Sequence, residues 1–214
     1  MLDQLTIAIA KGRMQDDAFR LLRHAGIVVN EEALRSRRLA IEDESGRYRF
    51  VFVKPADVPV YVEHGIADCG IVGRDVLLES EADLLQPLDL KIGFCRIALA
   101  AGEGKLTNSF GALRVATKYP RVTAMHFGAR GVPVEIIELS GSVELAAVLG
   151  LSDCIVDVVE TGRTLAENGL KVIEEIAAST GRLVVNRASY QLKAAAVAGL
   201  VNALNEAVNK ETTA

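Results

Sequence analysis

Tryptophan is absent and the aromatic residues together make up only 5% of the 214 positions. The chain therefore offers neither a stacking platform for single-stranded nucleic acid nor an aromatic membrane belt. No apolar run approaches the ~20 residues needed to cross a bilayer, and no charged-then-apolar leader precedes the first strand-like segment. The chain reads as cytoplasmic, with no membrane partner. Basic charge is not in excess: 24 Lys and Arg against 28 Asp and Glu leave a formal net charge of −4. That argues against a nucleic-acid-binding face and makes any anion site a local one. Cysteine is scarce, and Cys69, Cys95 and Cys154 are odd in number and far apart. Their spacing speaks against a disulfide framework or a cysteine zinc site and for packed thiols in a reducing compartment. Pro/Gly/Ser-rich linkers and fixed-period repeats are also missing.

What is present is a 50% hydrophobic composition, enough to bury one large or two small cores. Apolar strands alternate with helical patterns: Leu5 to Ala10 before a helix through Ala18, Leu21 and Leu22; Tyr48 to Val53 before Pro55 to His64; Leu113 to Thr117 before Tyr119 to Gly128; Val134 to Leu139 before Val143 to Leu149. The alternation predicts an α/β fold with mainly parallel sheets. Crossings between two lobes are expected near residues 90–92 and 179–181, giving lobe I as 1–90 plus 180–214 and lobe II as 91–179. Gly102 to Lys105 reads as a surface turn.

The stretch from 154 to 168 concentrates the chemistry. Ile155, Val156, Val158 and Val159 form a β-branched strand suited to burial on both faces, interrupted by Asp157 and Glu160. A carboxylate near the carboxyl end of such a strand needs a partner, for example sugar hydroxyls. Thr161-Gly162-Arg163-Thr164 then supplies a glycine, two hydroxyls, a cation and backbone N–H groups at a helix start, a combination suited to phosphate. An ordinary threonine-capped helix fits the same residues.

Two further junctions resemble it, at Lys11 to Arg13 and at Ser140 to Ser142, and a cationic cluster lies between them at Arg35 to Arg38. Lys11-Gly12-Arg13 follows the first strand, where an anionic ligand of an open α/β sheet would be met; two solvated cations are the plain alternative. Arg35, Arg37 and Arg38 form either a basic loop or salt bridges to Glu42, Asp43 and Glu44. Ser140-Gly141-Ser142 reads as a small polar turn capping the next helix, with Glu144 in its first turn. Gly65, Gly70 and Gly73 suggest either a backbone approached closely or simple turn geometry. Arg96, inside an apolar strand, is either ion-paired or a ligand contact.

Taken together, Ile7 to Arg13, Ala67 to Asp75, Phe94 to Arg96, Ala116 to Pro120, Glu138 to Ala146 and Asp153 to Leu170 resemble the catalytic subunit of ATP phosphoribosyltransferase in its short form, over essentially the whole chain. The resemblance implies a two-lobed fold like that of type II periplasmic binding proteins, with the active site in the interlobe cleft. It implies that Glu160, Thr161, Gly162, Arg163, Thr164 and Leu165 hold the 5′-phosphate of phosphoribosyl pyrophosphate and that Asp157 binds the ribose hydroxyls. Lys11, Gly12 and Arg13, with Arg37, would face pyrophosphate or triphosphate. Cys69, Gly70, Arg74, Asp75, Arg96, Ser140, Gly141, Ser142 and Glu144 would line the ATP side. Lys11, Arg13 and Asp157 would be catalytic, with Mg²⁺ carried mainly by substrate phosphates. The reaction implied is attack of adenine N1 of ATP on the anomeric carbon, opening histidine biosynthesis. The short form works with a regulatory subunit similar to histidyl-tRNA synthetase, so a hetero-oligomer containing dimers of the catalytic chain is expected. The sequence departs from the family in two places: Ala10 stands where proline is more common and Met14 where leucine is. Purine-salvage phosphoribosyltransferases share a similar turn but usually carry two adjacent acids, whereas Val158 and Val159 separate Asp157 from Glu160.

Overall fold

A computed structural model describes residues 4–104 and 111–213; Lys105, the last residue of the expected surface turn, lies outside them. The chain divides into two compact units. Unit 1 comprises residues 1–93 and 180–214, and unit 2 comprises residues 94–179.

Unit 1 begins with β1 (Leu5–Ala10), α1 (Gln15–His24), α2 (Glu31–Arg35), β2 (Ala40–Glu42), β3 (Tyr48–Val53), α3 (Val58–Glu63), β4 (Cys69–Gly73), α4 (Arg74–Ser80) and β5 (Leu85–Asp89). Unit 2 follows with β6 (Cys95–Gly102), β7 (Leu113–Thr117), α5 (Pro120–Gly128), β8 (Val134–Glu138), α6 (Val143–Val148), β9 (Cys154–Val159), α7 (Arg163–Glu167) and β10 (Leu170–Ser179). The chain returns to unit 1 with β11 (Gly181–Val185), α8 (Arg187–Leu192) and α9 (Ala194–Thr213).

The unit 1 sheet runs β2-β3-β1-β4-β11-β5 and the unit 2 sheet β10-β6-β9-β7-β8. Both are mixed, which corrects the expectation of mainly parallel sheets. Only β1 with β3, β1 with β4, β7 with β8 and β7 with β9 are parallel. The returning strand β11 and the edge strands β2, β5 and β10, together with β6, pair antiparallel. Strand-helix alternation marks the parallel centre of each sheet; it carries no information about strands that arrive by hairpin or from the other unit.

Side-chain size sorts the faces of the unit 1 sheet. Leu5, Ile7 and Ile9 of β1 pack with Phe50, Leu21, Leu22 and the Val197, Leu200, Leu204 and Val208 stripe of α9. The opposite side carries Ala8 and Ala10, which with Val72 and Val184 admit Val58 and Val62 of α3. Gly70 completes that seat: a Cβ there would lie 2.7 Å from Val58 Cγ1, 2.9 Å from Val62 Cγ2 and 3.1 Å from Val184 Cγ2. In α9 the Asn202, Glu206 and Lys210 face is exposed, as its helical period requires. In unit 2, Ala98, Ala100 and Ala116 leave room for α6 to pack its Val143, Ala146 and Ala147 face beside Ile155 and Val159.

A buried polar knot closes unit 1. The Asp68 carboxylate accepts from Thr6 N–H (2.8 Å), Ser189 Oγ (2.7 Å) and Lys193 Nζ (2.8 Å), and Lys193 Nζ also donates to Gln4 O at 2.9 Å. It ties the returning segment to the first and fourth strands.

Candidate active site

In an open α/β sheet, ligands are met beyond the carboxyl ends of parallel strands. In unit 2 these ends belong to β7, β8 and β9, and the residues that follow them are Lys118, the Ser140–Ser142 turn and the Glu160–Thr164 turn. Arg96 reaches the same edge through the antiparallel strand β6, where it pairs in register with Val159.

The turn after β9 is held from both sides. Cys154 to Val156 are fully buried, and Leu165 at 5% exposure pins the far end into the core. Between them Gly162 takes φ 77°, ψ 3°, a left-handed conformation that costs side-chain-bearing residues about 1–2 kcal/mol. Thr161 Oγ1 accepts weakly from Arg163 N–H at 3.4 Å, and Thr164 O accepts from Asn168 Nδ2 at 2.8 Å. Gly162 holds the N-cap position of α7 and has no side chain to offer, so the capping contact of this helix is the weak one from Arg163 N–H to Thr161 Oγ1. The threonine contact that the sequence allowed is made by Thr161, one residue ahead of the N-cap position, and only weakly. The Arg163 guanidinium folds back onto Glu167 at 2.8 Å, so Arg163 contributes backbone to the turn while its cation is engaged along the helix. Asp157 is half-buried, and its Oδ1 accepts from Val158 N–H at 2.8 Å, which fixes the carboxylate at the end of the strand.

Ser140, Gly141 and Ser142 are exposed. Ser142 sits at the N-cap position of α6 with φ 48°, ψ 45° and no side-chain cap bond. The expected serine cap is thus corrected to an uncapped turn. A non-glycine residue held left-handed is uncommon and concentrates at binding sites. Glu144 is half-buried in the first turn of α6. Arg96 ion-pairs with Glu175 of the neighbouring strand, while its buried Nε has no hydrogen-bond partner.

In unit 1 the carboxyl ends of β1, β3 and β4 carry Lys11, Lys54 and Arg74. The Lys11 N–H is bonded to Val53 O at 2.8 Å, and Gly12 follows at φ 110°. Lys11 shares a cavity of about 90 Å³ with Gln15, Ser36, Arg37 and Arg38. Among the described residues, none of these three cations has an acidic partner, so the bridges to Glu42, Asp43 and Glu44 that spacing suggested are not formed. Asp43 instead accepts from Tyr48 N–H and Ser45. Arg35 belongs elsewhere: it pairs with Glu31 at 3.4 Å and lines a separate cavity of about 300 Å³ beside Arg20 and Arg23. Three uncompensated cations around one cavity suit a polyanion. Arg74 opens α4, with its N–H bonded to Thr180 O at 3.0 Å, and Asp75 is buried in the same first turn.

Cys69 and Gly70 need correction as ATP-lining residues. They begin β4, whose far end carries Arg74, so Cys69 lies roughly 13 Å along the strand from that edge. Cys69 is 0% exposed, with burial first and then the Asp68 charge pushing its thiol pKa up to about 12. The space above Gly70 is filled by α3 rather than by a ligand. Cys154 behaves alike: burial raises its thiol to about 12, so neither thiol is a nucleophile at neutral pH.

Sequence reasoning assigned no role to Lys118 or Thr117. Lys118 is exposed and has no acidic partner among the described residues; the signal was a lone lysine directly after a buried strand. Thr117 Oγ1 donates to Val156 O at 2.6 Å and accepts from Tyr119 N–H at 2.8 Å, locking the ends of β7 and β9 together.

Known proteins match both halves. Residues 54–206 fit the family model described as HisG, ATP phosphoribosyltransferase. An ATP phosphoribosyltransferase of Caldanaerobacter subterraneus subsp. tengcongensis is 50% identical over 210 residues, 97% of this chain and 99% of the relative. The solved ATP phosphoribosyl transferase (HisG:HisZ) complex from Thermotoga maritima superposes with a TM-score of 0.84 at 39% identity, covering 97% of this chain and all of that one. The alkanesulfonate-binding protein SsuA from Xanthomonas axonopodis pv. citri matches at a TM-score of 0.56 and 14% identity, covering 96% of this chain and 73% of its own; that likeness is one of fold alone, the two-lobed periplasmic-binding-protein type.

Proposed function

The chain belongs to the ATP phosphoribosyltransferase family, and on that premise we propose that its two sheet edges divide the substrates, phosphoribosyl pyrophosphate on the β9–α7 turn and the polyphosphate groups on Lys11, Arg13 and Arg37. The enzyme is a pentosyltransferase: it joins N1 of the adenine of ATP to the anomeric carbon of phosphoribosyl pyrophosphate, releasing pyrophosphate, as the first step of histidine biosynthesis.

The observation that carries the assignment of the turn is Gly162 at φ 77° between a buried strand and a buried Leu165. Glu160, Thr161, Gly162, Arg163, Thr164 and Leu165 would wrap the 5′-phosphate, chiefly through N–H groups and the Thr161 and Thr164 hydroxyls. Asp157, one strand residue pair earlier, would accept from the ribose hydroxyls. Ser140, Gly141, Ser142 and Glu144 on the same edge, with Arg74, Asp75 and Arg96, are assigned to the purine nucleotide. Cys69 and Gly70 leave this set. Lys118 joins it as a cation for phosphate.

Chemically, the nucleophile is a neutral ring nitrogen and needs no strong general base. The barrier is one of charge: two polyanions must meet while pyrophosphate departs and the ribose becomes oxocarbenium-like. Preplaced lysine and arginine side chains stabilise the leaving group, and orientation can supply about 7–11 kcal/mol in well-aligned systems. Mg²⁺ would be bound mainly through the substrates' phosphate oxygens and would neutralise the departing pyrophosphate. Among the described residues no group of three His, Cys, Asp or Glu side chains is placed to hold it apart from the substrate. Asp157 would stabilise positive charge developing on the ribose.

A histidyl-tRNA-synthetase-like regulatory subunit is assigned as partner, supported by the likeness to the Thermotoga maritima complex, in a hetero-oligomer containing dimers of this chain. Cytoplasmic residence is inferred from the biosynthetic role; among the described residues no helix is long and apolar enough to cross a membrane. The test is kinetic. Thr164→Ala should raise KM for phosphoribosyl pyrophosphate more than KM for ATP; equal effects on both, or none, would remove the turn from the phosphate site.

A further inference from the structure

One side chain fills the space beside two glycines that flank the points where the chain leaves and re-enters unit 1. A Cβ on Gly181 would stand 2.7 Å from Met14 Sδ and 2.9 Å from Ile92 Cγ1, and a Cβ on Gly93 would stand 3.0 Å from Met14 Sδ and 3.1 Å from Met14 Cγ. Gly93 is the last residue of unit 1 before the chain passes to unit 2, and Thr180 is the first on its return. The two connecting segments are bonded to each other: Gly181 N–H donates to Ile92 O at 2.8 Å, and Leu90 N–H to Gly181 O at 2.9 Å. Asp89 clasps both. Its carboxylate accepts from Lys91 N–H at 3.0 Å and from the Thr180 hydroxyl at 2.8 Å, and it ion-pairs with Lys91 at 3.2 Å and Arg182 at 3.1 Å.

Met14 is also the residue on which the Lys11-Gly12-Arg13 turn ends. The turn enters through the Lys11 N–H bond to Val53, passes Gly12 at a φ open to glycine, and closes with Gln15 N–H on Gly12 O at 3.0 Å. Met14 occupies the N-cap position of α1 without making a side-chain cap. Its side chain is committed to the connectors instead. An unbranched thioether suits such a narrow, irregular gap, and any side chain at Gly93 or Gly181 would close it.

We infer that Met14 is a positioning residue for this reaction: seated against Gly93, Gly181 and Ile92, it couples the placement of the Lys11–Arg13 turn to the conformation of the connectors at 89–93 and 180–182. The inference rests on the reading that the turn meets substrate phosphates. Coupling of this kind is reciprocal, so a ligand that orders the turn must also order the connectors, by the same factor that the connectors alter its affinity.

Hydrogen exchange of the full chain, with and without Mg²⁺ and inorganic pyrophosphate, tests it. In the wild type, pyrophosphate should slow exchange at residues 11–15 and also, by about 5-fold or more, at the Leu90 and Gly181 amides. Met14→Ala should keep the first response and lose the second, and Met14→Leu should restore it. Steady-state kinetics should follow, with Met14→Ala lowering kcat/KM by roughly 10–100-fold, the scale expected of a misplaced contact group, chiefly through KM, and Met14→Leu staying near wild type. Gly181→Ala, which overfills the gap, should lower kcat/KM and regain part of it when combined with Met14→Ala; a purely structural contact would restore the unfolding midpoint without restoring kcat/KM. If pyrophosphate protects the turn but not the connectors, or if Met14→Ala matches the wild type in both responses, the coupling is refuted. If it protects neither, the phosphate reading of the turn falls and the inference with it.

Discussion

Gly162 gives the sharpest perturbation of the phosphate turn, because the structure separates backbone strain from steric conflict there. A Cβ at this position would find Val159 Cγ1 at 3.8 Å as its nearest neighbour, an ordinary contact, so substitution meets no wall. What it meets is φ 77°. A left-handed conformation costs an L-residue about 1–2 kcal/mol, less for asparagine and most for a β-branched residue. The free turn can relieve that strain by relaxing away from the phosphate-binding conformation, and substrate must then restore it. Gly162→Ala should raise KM for phosphoribosyl pyrophosphate by roughly 5–30-fold, the equivalent of 1–2 kcal/mol, with kcat little changed. Gly162→Asn should fall below the alanine variant and Gly162→Val above it, while KM for ATP stays constant. Initial-rate measurements with each substrate varied in turn provide the assay. A valine variant with wild-type KM, or asparagine worse than valine, would show that the left-handed turn is not what holds the phosphate.

Other residues make separable predictions. Asp68→Asn keeps the shape of the Thr6, Ser189 and Lys193 knot but removes its charge, so the cost should be about 2 kcal/mol, a hydrogen bond to a charged group; the unfolding midpoint should fall by roughly 4–8 °C. Lys193→Met should lose stability too, and combining it with Asp68→Asn should cost less than the sum of the two. His126 is buried against Phe127, with Arg130 donating to Nδ1 and Glu174 near Nε2. Burial and then the Arg130 charge lower its pKa below the usual 6.5. The unfolded chain therefore takes up this proton first as pH falls. The contribution of His126 is full above about pH 6.5 and is lost as pH drops toward the folded-state pKa. Denaturant unfolding at stepped pH should show this slope, and His126→Gln should flatten it. Lys11→Ala should lower kcat/KM by about 10²–10³, as loss of one charge-stabilising group does, without moving the unfolding midpoint; a change in the midpoint alone would make Lys11 structural.

The segments that proved legible in the sequence are those whose signal is local. The β9 strand, its acid and the small-residue turn stand where periodicity put them, because burial on both faces and a left-handed glycine leave marks within a dozen residues. The Lys11–Arg13 turn is legible for the same reason. The five-residue helix α2 was missed although Asn30 caps it, accepting from Glu32 N–H and Ala33 N–H at 2.8 and 3.2 Å; with no buried residue it has no apolar period to read. Cys69 and Gly70 were misplaced because a glycine that admits a ligand and a glycine that admits a valine look alike until the helix above it is known. The direction of β11 and the meeting of Met14 with Gly93 and Gly181 depend on contacts far apart in the chain, which no local window contains.

The most direct measurement is the mass of the product. The purified chain incubated with ATP, phosphoribosyl pyrophosphate and Mg²⁺, alone and with its histidyl-tRNA-synthetase-like subunit, should yield N1-phosphoribosyl-ATP together with one pyrophosphate per adduct, and Asp157→Ala should yield it far more slowly. Absence of the adduct in both mixtures, or full activity of the Asp157 variant, would contradict the account.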